Sequence, residues 1–457
     1  MTHIWRHIVG VILSSTADSW PIWSSSFDVA LDRLATNGAL TVIGRADFHL
    51  SSSFQIDDDG VVQFQDRGIP LEDASSNIST GSLEVDGQFF SPALSIKADS
   101  LSLGPEAVIS VSEGGHLSDN GPGAGAMSSS GASGASHGGR GGHGGGADAT
   151  QAGMPYGSLY TRGTLGSGGG SGTTDGSGGR GGGFMHAMVK GAVTIYGQVR
   201  ANGQAAKGLH AGGGSGGAVW VSCDIFQGSG RVYADGGSGQ GQGGGGAGGR
   251  VFVQAQTISF DDSNFGAAGG DGAHVGGPGL TYIESSSPSI RLVRVDNKCR
   301  KPVVDMPHSS DDRATAASYS DFTLSSGVAW LDEGFHDLTA IRINGSAHLA
   351  IFGNETVVKV GNIDGDETGY IHVGPTQTLN ITDVWPYKRH KTTWQPVIYE
   401  SATLVLPEAT FEIRAPFDWN EFASTAPYAC PAGHRREPDV TIWGILDGGR
   451  GHLLVGT

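Results

Sequence analysis

The sequence contains few cysteines and no long apolar run. Its three cysteines, Cys223, Cys299 and Cys430, are too few and too widely spaced for a disulfide-dense module or for a zinc site built on C-x-x-C pairs. Two interpretations stay open, namely one disulfide with one free thiol, or three buried thiols. No run of 18 apolar residues occurs, so we expect no membrane span in this chain.

Basic residues are also scarce. The chain has 28 Lys and Arg against 45 Asp and Glu, which gives a formal net charge of −17. Such a chain repels phosphate, so nucleic acid is not an expected partner. No G-x-x-x-x-G-K-[ST] string occurs, which excludes a Walker-type phosphate loop. The many G-x-G-x-x-G strings are uninformative, because any tract this rich in glycine produces them.

Glycine is abundant instead. It occupies 78 of 457 positions, more than twice its usual share of roughly 7%, while only 37% of residues are hydrophobic. This mixture argues against a compact α/β enzyme. The glycines follow no G-X-Y period and prolines are few, which argues against a collagen triple helix. The composition therefore favours a β-rich fold with glycine-rich loops.

Short runs of alternating apolar and polar residues, bounded by Gly, Asp and Ser, fill the region from Phe27 to Val111 and predict strands. The best helical spacing is the short stretch "FDVALDRL", from Phe27 to Leu34. From Gly114 to Gly183 the composition changes to Gly and Ser, and such a stretch should be loop unless something organises it. Its histidines, among them His116, His137 and His143, are typical of solvated loops, and a metal site is the alternative.

A repeat begins after Gly183. The stretches "GAVTIYGQVRANGQ", "GAVWVSCDIFQGSGRVYADGG" and "GRVFVQAQTISFDDSNFGAAGG" share two strands, a small residue and a glycine exit, at an interval of roughly 33 residues. This pattern predicts an all-β fold, a parallel right-handed β-solenoid (β-helix) in which each coil buries its inward side chains on its neighbours. The residues predicted to point inward are Val193, Ile195, Val219, Val221, Val251 and Val253.

Five regions follow from these changes in pattern. Residues 1–26 form an N-terminal segment that looks like a marginal signal peptide or the remnant of a truncated start, and residues 27–113 form N-terminal β-rungs. Residues 114–183 are a Gly/Ser/His-rich insertion, and residues 184–286 are glycine-rich solenoid rungs. Residues 287–457 are β-rich with less glycine, which predicts a second β-solenoid or a β-sandwich. Because the strand rhythm is interrupted at "GHLLVGT", we expect a fragment of a larger protein.

The order of several glycine motifs carries a resemblance. "GASGASHGGRGG", "PYGSLY", "LGSGGG", "GGSGGAVWV", "GSGRVYADGG" and "GGGAGGRVFV" follow one another between Ala107 and about Val253. In this order they resemble a family of glycine-rich segments in very large predicted eukaryotic secreted or cell-surface proteins. The resemblance implies an extracellular, repetitive β-rich scaffold and brings no catalytic residue with it. The chain departs from that family by lacking the cysteine-rich repeats and membrane segment often found downstream.

Candidate chemistry is limited to carboxylates, sequons and aromatics. We expect no catalytic set, and the alternative is a carbohydrate-cleaving pair formed by Asp261 and Asp262. We expect no cofactor, and the alternative is calcium held by oxygen ligands in the turn "DGDETG". Trp220 and other tryptophans offer a sugar-stacking platform, although aromatic residues in strands usually pack in the core. The calcium candidates are Asp364, Asp366 and Glu367, and the N-x-[ST] glycosylation candidates are Asn77, Asn344, Asn354 and Asn380.

These observations together predict a non-enzymatic structural or adhesive scaffold of a matrix, wall or cell surface. The expected location is therefore extracellular, and the expected partners are glycans, other matrix or surface proteins, or further copies of the chain. The alternatives are a carbohydrate-active β-helix enzyme and a glycan-binding protein.

Overall fold

A computed structural model describes residues 12–13, 22–65, 75–146, 150–157, 164–172, 177–298, 321–326, 328–331, 335–345, 347–351, 356–366, 368–374, 376–382, 394–398, 402–406 and 409–413. The chain divides into two compact units, Met1–Ser289 and Ile290–Thr457. Strands make up about 50% of the structure and helix about 1%, which confirms the all-β prediction. The one helix among the described residues is a 3-10 turn at Asp262–Asn264.

Sixteen strands are described in the first unit. The stretch with the best helical spacing, Phe27 to Leu34, lies within the second strand, as the prediction of β-rungs over residues 27–113 requires. At its end, buried Leu34 and Thr36 alternate with the less buried Arg33 and Ala35 at the two-residue period of a strand. The strands are β1 (Ile12–Leu13), β2 (Ile22–Thr36), β3 (Ala39–Ile56), β4 (Val61–Gln65), β5 (Ser75–Val85), β6 (Gln88–Phe90), β7 (Ala93–Leu103), β8 (Val108–Ser110), β9 (Phe184–Val189), β10 (Ala192–Ile195), β11 (Gln198–Arg200), β12 (Ala218–Gly228), β13 (Arg231–Tyr233), β14 (Arg250–Ser259), β15 (Phe265–Gly266) and β16 (Leu280–Ser286).

All the strand pairs described in this unit are parallel, and they form three ladders. The first ladder runs from the start of β7 through β9 and the starts of β12 and β14 to β16. The second joins the end of β7 to β10 and to the ends of β12 and β14. The third runs through β4, β6, β8, β11, β13 and β15. Each strand therefore lies on the equivalent strand of the preceding repeat.

The inward face of the ladders forms the core. All six aliphatic residues predicted to point inward are at most 2% exposed, and Val219 lies opposite Val251 as expected. The predicted correspondence between the "GAV" strings of the first and second repeats, however, is wrong. Val193 lies opposite Phe226 at the end of β12, whereas Met185 is the residue opposite Val219. The similar strings belong to different ladders, and only the pairing distinguishes them.

The second unit is also built mainly from parallel strand pairs. In each of its two groups of strands the pairs are parallel, except for a final antiparallel pair, β26 with β27. The strands are β17 (Ser289–Asp296), β18 (Asp321–Ser326), β19 (Val328–Leu331), β20 (Phe335–Ile343), β21 (His348–Ile351), β22 (Val357–Gly365), β23 (Tyr370–Val373), β24 (Thr378–Ile381), β25 (Gln395–Ile398), β26 (Ala402–Leu406) and β27 (Ala409–Ile413). Within the described ranges, no helix is long and apolar enough to cross a membrane.

Candidate functional site

Glycine-rich segments leave the first unit's ladders in pairs. Each pair, here called a glycine hairpin, runs out after a strand of the third ladder, turns, and returns to a strand of the first. The three hairpins cover residues 201–217, 234–249 and 267–279. The insertion adds the segments 132–145, 165–171 and 177–183, which bond to the hairpins through their backbones, and the segment 123–126, which bonds to segments 132–145 and 165–171. We call the whole assembly the glycine array.

Hydrogen bonding in the glycine array has a period of three residues. In segment 243–249 successive N–H groups donate to three different neighbouring segments, and every third residue returns to the same neighbour. Three residues per turn without internal hydrogen bonds is the geometry of a polyproline II helix. The glycine array is therefore a bundle of such helices, bonded side by side. Gly244 and Ala247 donate to the carbonyls of Ala132 and Ala135, Gly245 and Gly248 to those of His274 and Gly277, and Gly246 and Gly249 to those of Gly237 and Ala234.

Close approach of these backbones explains the glycine content. A Cβ atom built on Gly214 would overlap the carbonyl oxygen of Arg180, and one on Gly246 would overlap that of Gly214. These obstructing atoms are backbone atoms of neighbouring segments, which cannot rotate away as a side chain can. The insertion was predicted to be loop unless something organises it, and its described segments are ordered by their backbone bonds within the glycine array.

Polar side chains align the outgoing halves of the hairpins. Ser112 Oγ accepts the N–H of Asn202 (3.0 Å), Asn202 Oδ1 accepts that of Asp235 (2.8 Å), and Asp235 Oδ1 accepts that of Ala268 (2.8 Å). The "ANG" and "ADG" landmarks of the repeat are thus the acceptors of an inter-repeat ladder. Alanine ends the series among these positions, because Ala268 has no side-chain acceptor.

A buried polar cluster fixes the insertion on the hairpins. His137 is fully buried, and its Nδ1 lies 2.7 Å from the carbonyl oxygen of Gly216, so Nδ1 carries the proton and Nε2 accepts from Thr164 Oγ1 (3.0 Å). The His137 ring lies 4.9 Å from the ring of Tyr156, whose hydroxyl accepts from Ser167. The "SHGG" and "PYG" motifs therefore meet in space, and the prediction that His137 is solvated is wrong.

Both rings in this cluster are held neutral. Burial, followed by the positive charge of Arg250, lowers the pKa of His137 to about 3. Burial also raises the pKa of the Tyr156 hydroxyl. Arg250 reaches the same place by donating from Nη1 to the Tyr156 carbonyl oxygen (2.7 Å). The cluster therefore joins the insertion to β14 without placing an ionised imidazole in the interior.

Turns from separate parts of the sequence meet at one end of the glycine array. His210 Nδ1 accepts the N–H of Gln242 (3.1 Å), and the Gln242 carbonyl accepts the N–H of Gly145 (2.9 Å). Lys207 donates its N–H to the Ser177 carbonyl (3.1 Å). We call this end the turn cluster; its described residues are 127–130, 145–146, 150, 171–172, 177, 207–210, 240–242 and 271–274.

The turn cluster displays apolar side chains to solvent. Met127 is 67% exposed and Leu209 is 60% exposed, the highest values among the large exposed hydrophobic residues. Both residues lie beside segment 171–172. Ser128, which follows Met127, donates its N–H to the Ser171 carbonyl, and a Cβ atom built on Gly172 would overlap the Leu209 carbonyl. Exposed apolar groups on turns held by a rigid framework are typical of a binding surface. Composition alone did not identify this site, because the turns are far apart in sequence.

The carboxylates singled out in the sequence act within turns. Asp261 Oδ1 accepts the N–H of Ser263 (2.9 Å) and begins the 3-10 turn that contains Asp262. Asp364 Oδ1 accepts the N–H of Gly365, while Asp366 accepts the N–H groups of Gly345 and Thr368 through its two oxygens. Glu367 lies outside the described residues. In the part of the chain that is described, no group of three His, Cys, Asp or Glu side chains is arranged to hold a metal ion.

The glycosylation candidates differ in their surroundings. Asn77 is half-buried and donates from Nδ2 to Asp47 Oδ1 (2.5 Å). Asn344 and Asn380 are half-buried, with Asn344 directly after β20 and Asn380 within β24, and Asn354 lies outside the described residues. Glycosylation at these sites stays a prediction.

Trp220 and Cys223 are both in β12. Trp220 is 8% exposed and stacks on Phe252 with ring centroids 3.8 Å apart, so it offers no open platform for a sugar. Cys223 is a free, half-buried thiol, and burial, together with the charge of Asp224, raises its pKa to about 12. Cys299 and Cys430 lie outside the described residues, so the pairing of cysteines stays a prediction. Comparisons of the chain with protein-family models, with curated proteins and with solved structures return no match.

Proposed function

We propose that the chain is a non-enzymatic structural or adhesive scaffold of a matrix, wall or cell surface. In this proposal the first unit is a right-handed β-solenoid, the hand taken by parallel crossovers, and the second unit, with its own parallel ladders, is a solenoid segment as well. The glycine array serves as a stiff mount that presents the turn cluster to a partner. The proposed location is extracellular.

One observation carries the proposal. Turns from distant parts of the sequence converge on one exposed surface. Met127 and Leu209, the two most exposed large apolar side chains among the described residues, both belong to it. Exposing such groups is unfavourable by about 25 cal/mol per Å² relative to burying them, and a partner that covers them gains this free energy. A stiff mount keeps the entropic cost of binding low, because the backbone bonds already fix the segments that lead into the turns.

The adhesion test uses the full chain on fluorescent beads. The beads are washed over immobilised fibronectin, collagen, cellulose, chitin and β-1,3-glucan, and retention is counted under flow. We expect retention on fibronectin or collagen and at least a tenfold loss of that retention for the double variant Met127→Ser, Leu209→Ser. The matched control is Tyr196→Ser, which removes a 53% exposed apolar side chain outside the turn cluster. Retention that is absent on both protein surfaces, or equal there for both variants, overturns the role of the turn cluster.

The enzymatic alternative is tested on the same polysaccharides. Soluble reducing ends are measured after incubation with the wild-type chain and with Asp261→Asn, Asp262→Asn. Because Asp261 is occupied with its own turn, we expect no release above the buffer control. Release that disappears in the double variant replaces the scaffold proposal with a carbohydrate-cleaving enzyme.

A further inference from the structure

A second exposed surface lies on the second ladder of the first unit, away from the turn cluster in sequence and fold. Its outward side chains come from β10 and from the last residues of β7, β12 and β14, where they alternate with core residues such as Leu101 and Phe226. We call this surface the hydroxyl face. It consists of Ser100, Ser102, Ala192, Thr194, Ile225, Gln227, Thr257 and Ser259.

The hydroxyl face is regular in two directions. Ser102, Thr194, Gln227 and Ser259 lie directly opposite one another on successive strands, and Ala192, Ile225 and Thr257 form a second, parallel row. Neighbouring strands are about 4.8 Å apart, and alternate residues of one strand are about 6.6 Å apart. On β5 the first row meets the exposed carboxylate of Glu84, which lies opposite Ser102 and bounds the uncharged surface. Uncharged polar groups therefore repeat along a line of roughly 14 Å over four strands.

The hydrogen-bonding capacity of this face is directed outward. The hydroxyl groups of Ser100, Ser102, Thr257 and Ser259 make no hydrogen bond to any residue that the structure describes. Thr194 is the exception, because its Oγ1 accepts from Gln227 Nε2 (3.0 Å). Each free hydroxyl can both donate and accept, which is the capacity that a sugar hydroxyl has.

The charge of the face points to a neutral occupant. None of its eight side chains is ionisable, although the chain carries a net charge of −17. Charges border the face: the exposed carboxylate of Glu84 lies opposite Ser102 on β5, Lys190 pairs with Asp99 (2.6 Å) at the bend of the strands, and Asp224 is exposed there. Ile225, 42% exposed, adds an apolar contact amid the hydroxyl groups. A pyranose ring offers the same mixture, with hydroxyl groups at its edge and C–H groups on its faces.

We infer that the hydroxyl face binds an extended, uncharged polysaccharide, with successive sugars lying along the rows. A polymer suits it better than a single sugar, because each neutral hydrogen bond contributes only about 1 kcal/mol and many must act together. The inference goes beyond the proposed function, since it concerns a different surface, and either can fail without the other.

The test is sedimentation of the full chain with microcrystalline cellulose, with chitin and with the acidic polymer polygalacturonate. We expect the chain to sediment with at least one neutral polymer and to stay in the supernatant with polygalacturonate. Thr194→Arg with Thr257→Arg places two long cations on the face, and we expect binding to fall at least tenfold. The matched control is Gln254→Arg, an exposed outward position on β14 before its bend, which should bind as wild type. Circular dichroism checks that all three chains keep the same strand signal.

Two results would overturn the inference. One is binding that is equal in the Thr194→Arg, Thr257→Arg variant and in the wild type, or no binding to either neutral polymer. The other is a wild-type dimer in analytical ultracentrifugation that the double variant abolishes, which would assign the face to a second copy of the chain. Met127→Ser with Leu209→Ser should leave sedimentation unchanged, so failure of the turn-cluster proposal is recognised separately.

Discussion

The side chain of Asn202 accepts a hydrogen bond from the backbone N–H of Asp235, which follows it by 33 residues, at 2.8 Å. Ser112 and Asp235 accept in the same way from the N–H groups of Asn202 and Ala268. One side-chain oxygen per repeat thus sets the register of each glycine hairpin on the previous one. This ladder gives the repeat interval a physical cause.

Asn202→Ala should destabilise the first unit by about 1 kcal/mol, because the N–H of Asp235 loses its acceptor. The measurement is urea unfolding followed by circular dichroism. Asn202→Asp keeps an acceptor oxygen at the same place and should stay closer to wild type. Equal midpoints for Asn202→Ala and wild type would show that the ladder does not contribute to stability.

Gly214→Ala should destabilise the glycine array by about 3 kcal/mol, because its Cβ would overlap the Arg180 carbonyl and force two backbones apart. Gly191→Ala is the milder comparison and should destabilise less, because a Cβ there meets a single backbone atom, the Asp99 carbonyl oxygen, at 2.9 Å, a looser contact than the overlap at Gly214. Hydrogen exchange of segments 165–171, 211–217 and 243–249 measures the difference. Protection that is the same in both variants would contradict the close packing.

Acid should loosen the insertion through His137. The pKa of this side chain is lowered from 6.5 to about 3, so the unfolded chain binds a proton more readily than the folded chain does. The stabilising contribution is complete above pH 6.5 and is lost as the pH falls from 6.5 towards 3, and the loss at pH 5 is about 2 kcal/mol. Proteolysis within residues 123–171, followed from pH 7.5 to pH 4, measures the effect.

His137→Gln serves as the control for this pH dependence. Its amide can donate to the Gly216 carbonyl, although it cannot titrate, so its cleavage rate should vary less with pH than that of the wild type. Parallel pH profiles for the two chains would assign the acid sensitivity to other groups.

Cys223 should resist alkylation in the folded chain. Burial raises its pKa to about 12, so almost none of it is thiolate at pH 8. Iodoacetamide at pH 8 should modify Cys223 at least a hundredfold more slowly in buffer than in 6 M guanidinium, as followed by peptide mass spectrometry. Comparable rates in the two solvents would mean that β12 opens readily.

Periodicity and small-residue landmarks predicted the strand content and the core. The two-residue alternation of Val219, Val221, Val251 and Val253 is a local property, and all four are buried as expected. Ala201, Ala234 and Ala268 are also fully buried, so the "ANG" and "ADG" landmarks were informative about packing. The wrong correspondence of the first repeat has a simple cause. The strings "GAVTI" and "GAVWV" have the same apolar pattern and differ only in the strands with which they pair.

Order within the insertion could not be predicted, because nothing local distinguishes a bonded polyproline II segment from a free glycine linker. Gly244 and Ala132 are 112 positions apart, and only their proximity satisfies both backbones. The pairing of His137 with Tyr156 and the meeting of Met127 with Leu209 at one end depend on the same long-range packing. Conversely, the carboxylates of Asp261 and Asp366 attracted notice by composition, and each is already engaged by backbone N–H groups.

The threefold bonding pattern of the glycine array imposes a counting rule on insertions and deletions. Removing three residues from segment 243–249 shortens it by roughly 9 Å yet leaves every remaining N–H facing its former neighbour. Removing one residue instead rotates all the following residues by a third of a turn, so that each of their N–H groups faces a different neighbouring segment. Insertions or deletions of three residues would thus lengthen or shorten one segment while the other hydrogen bonds of the glycine array stay the same. The position of a single turn in the turn cluster can therefore change without rearrangement of the rest.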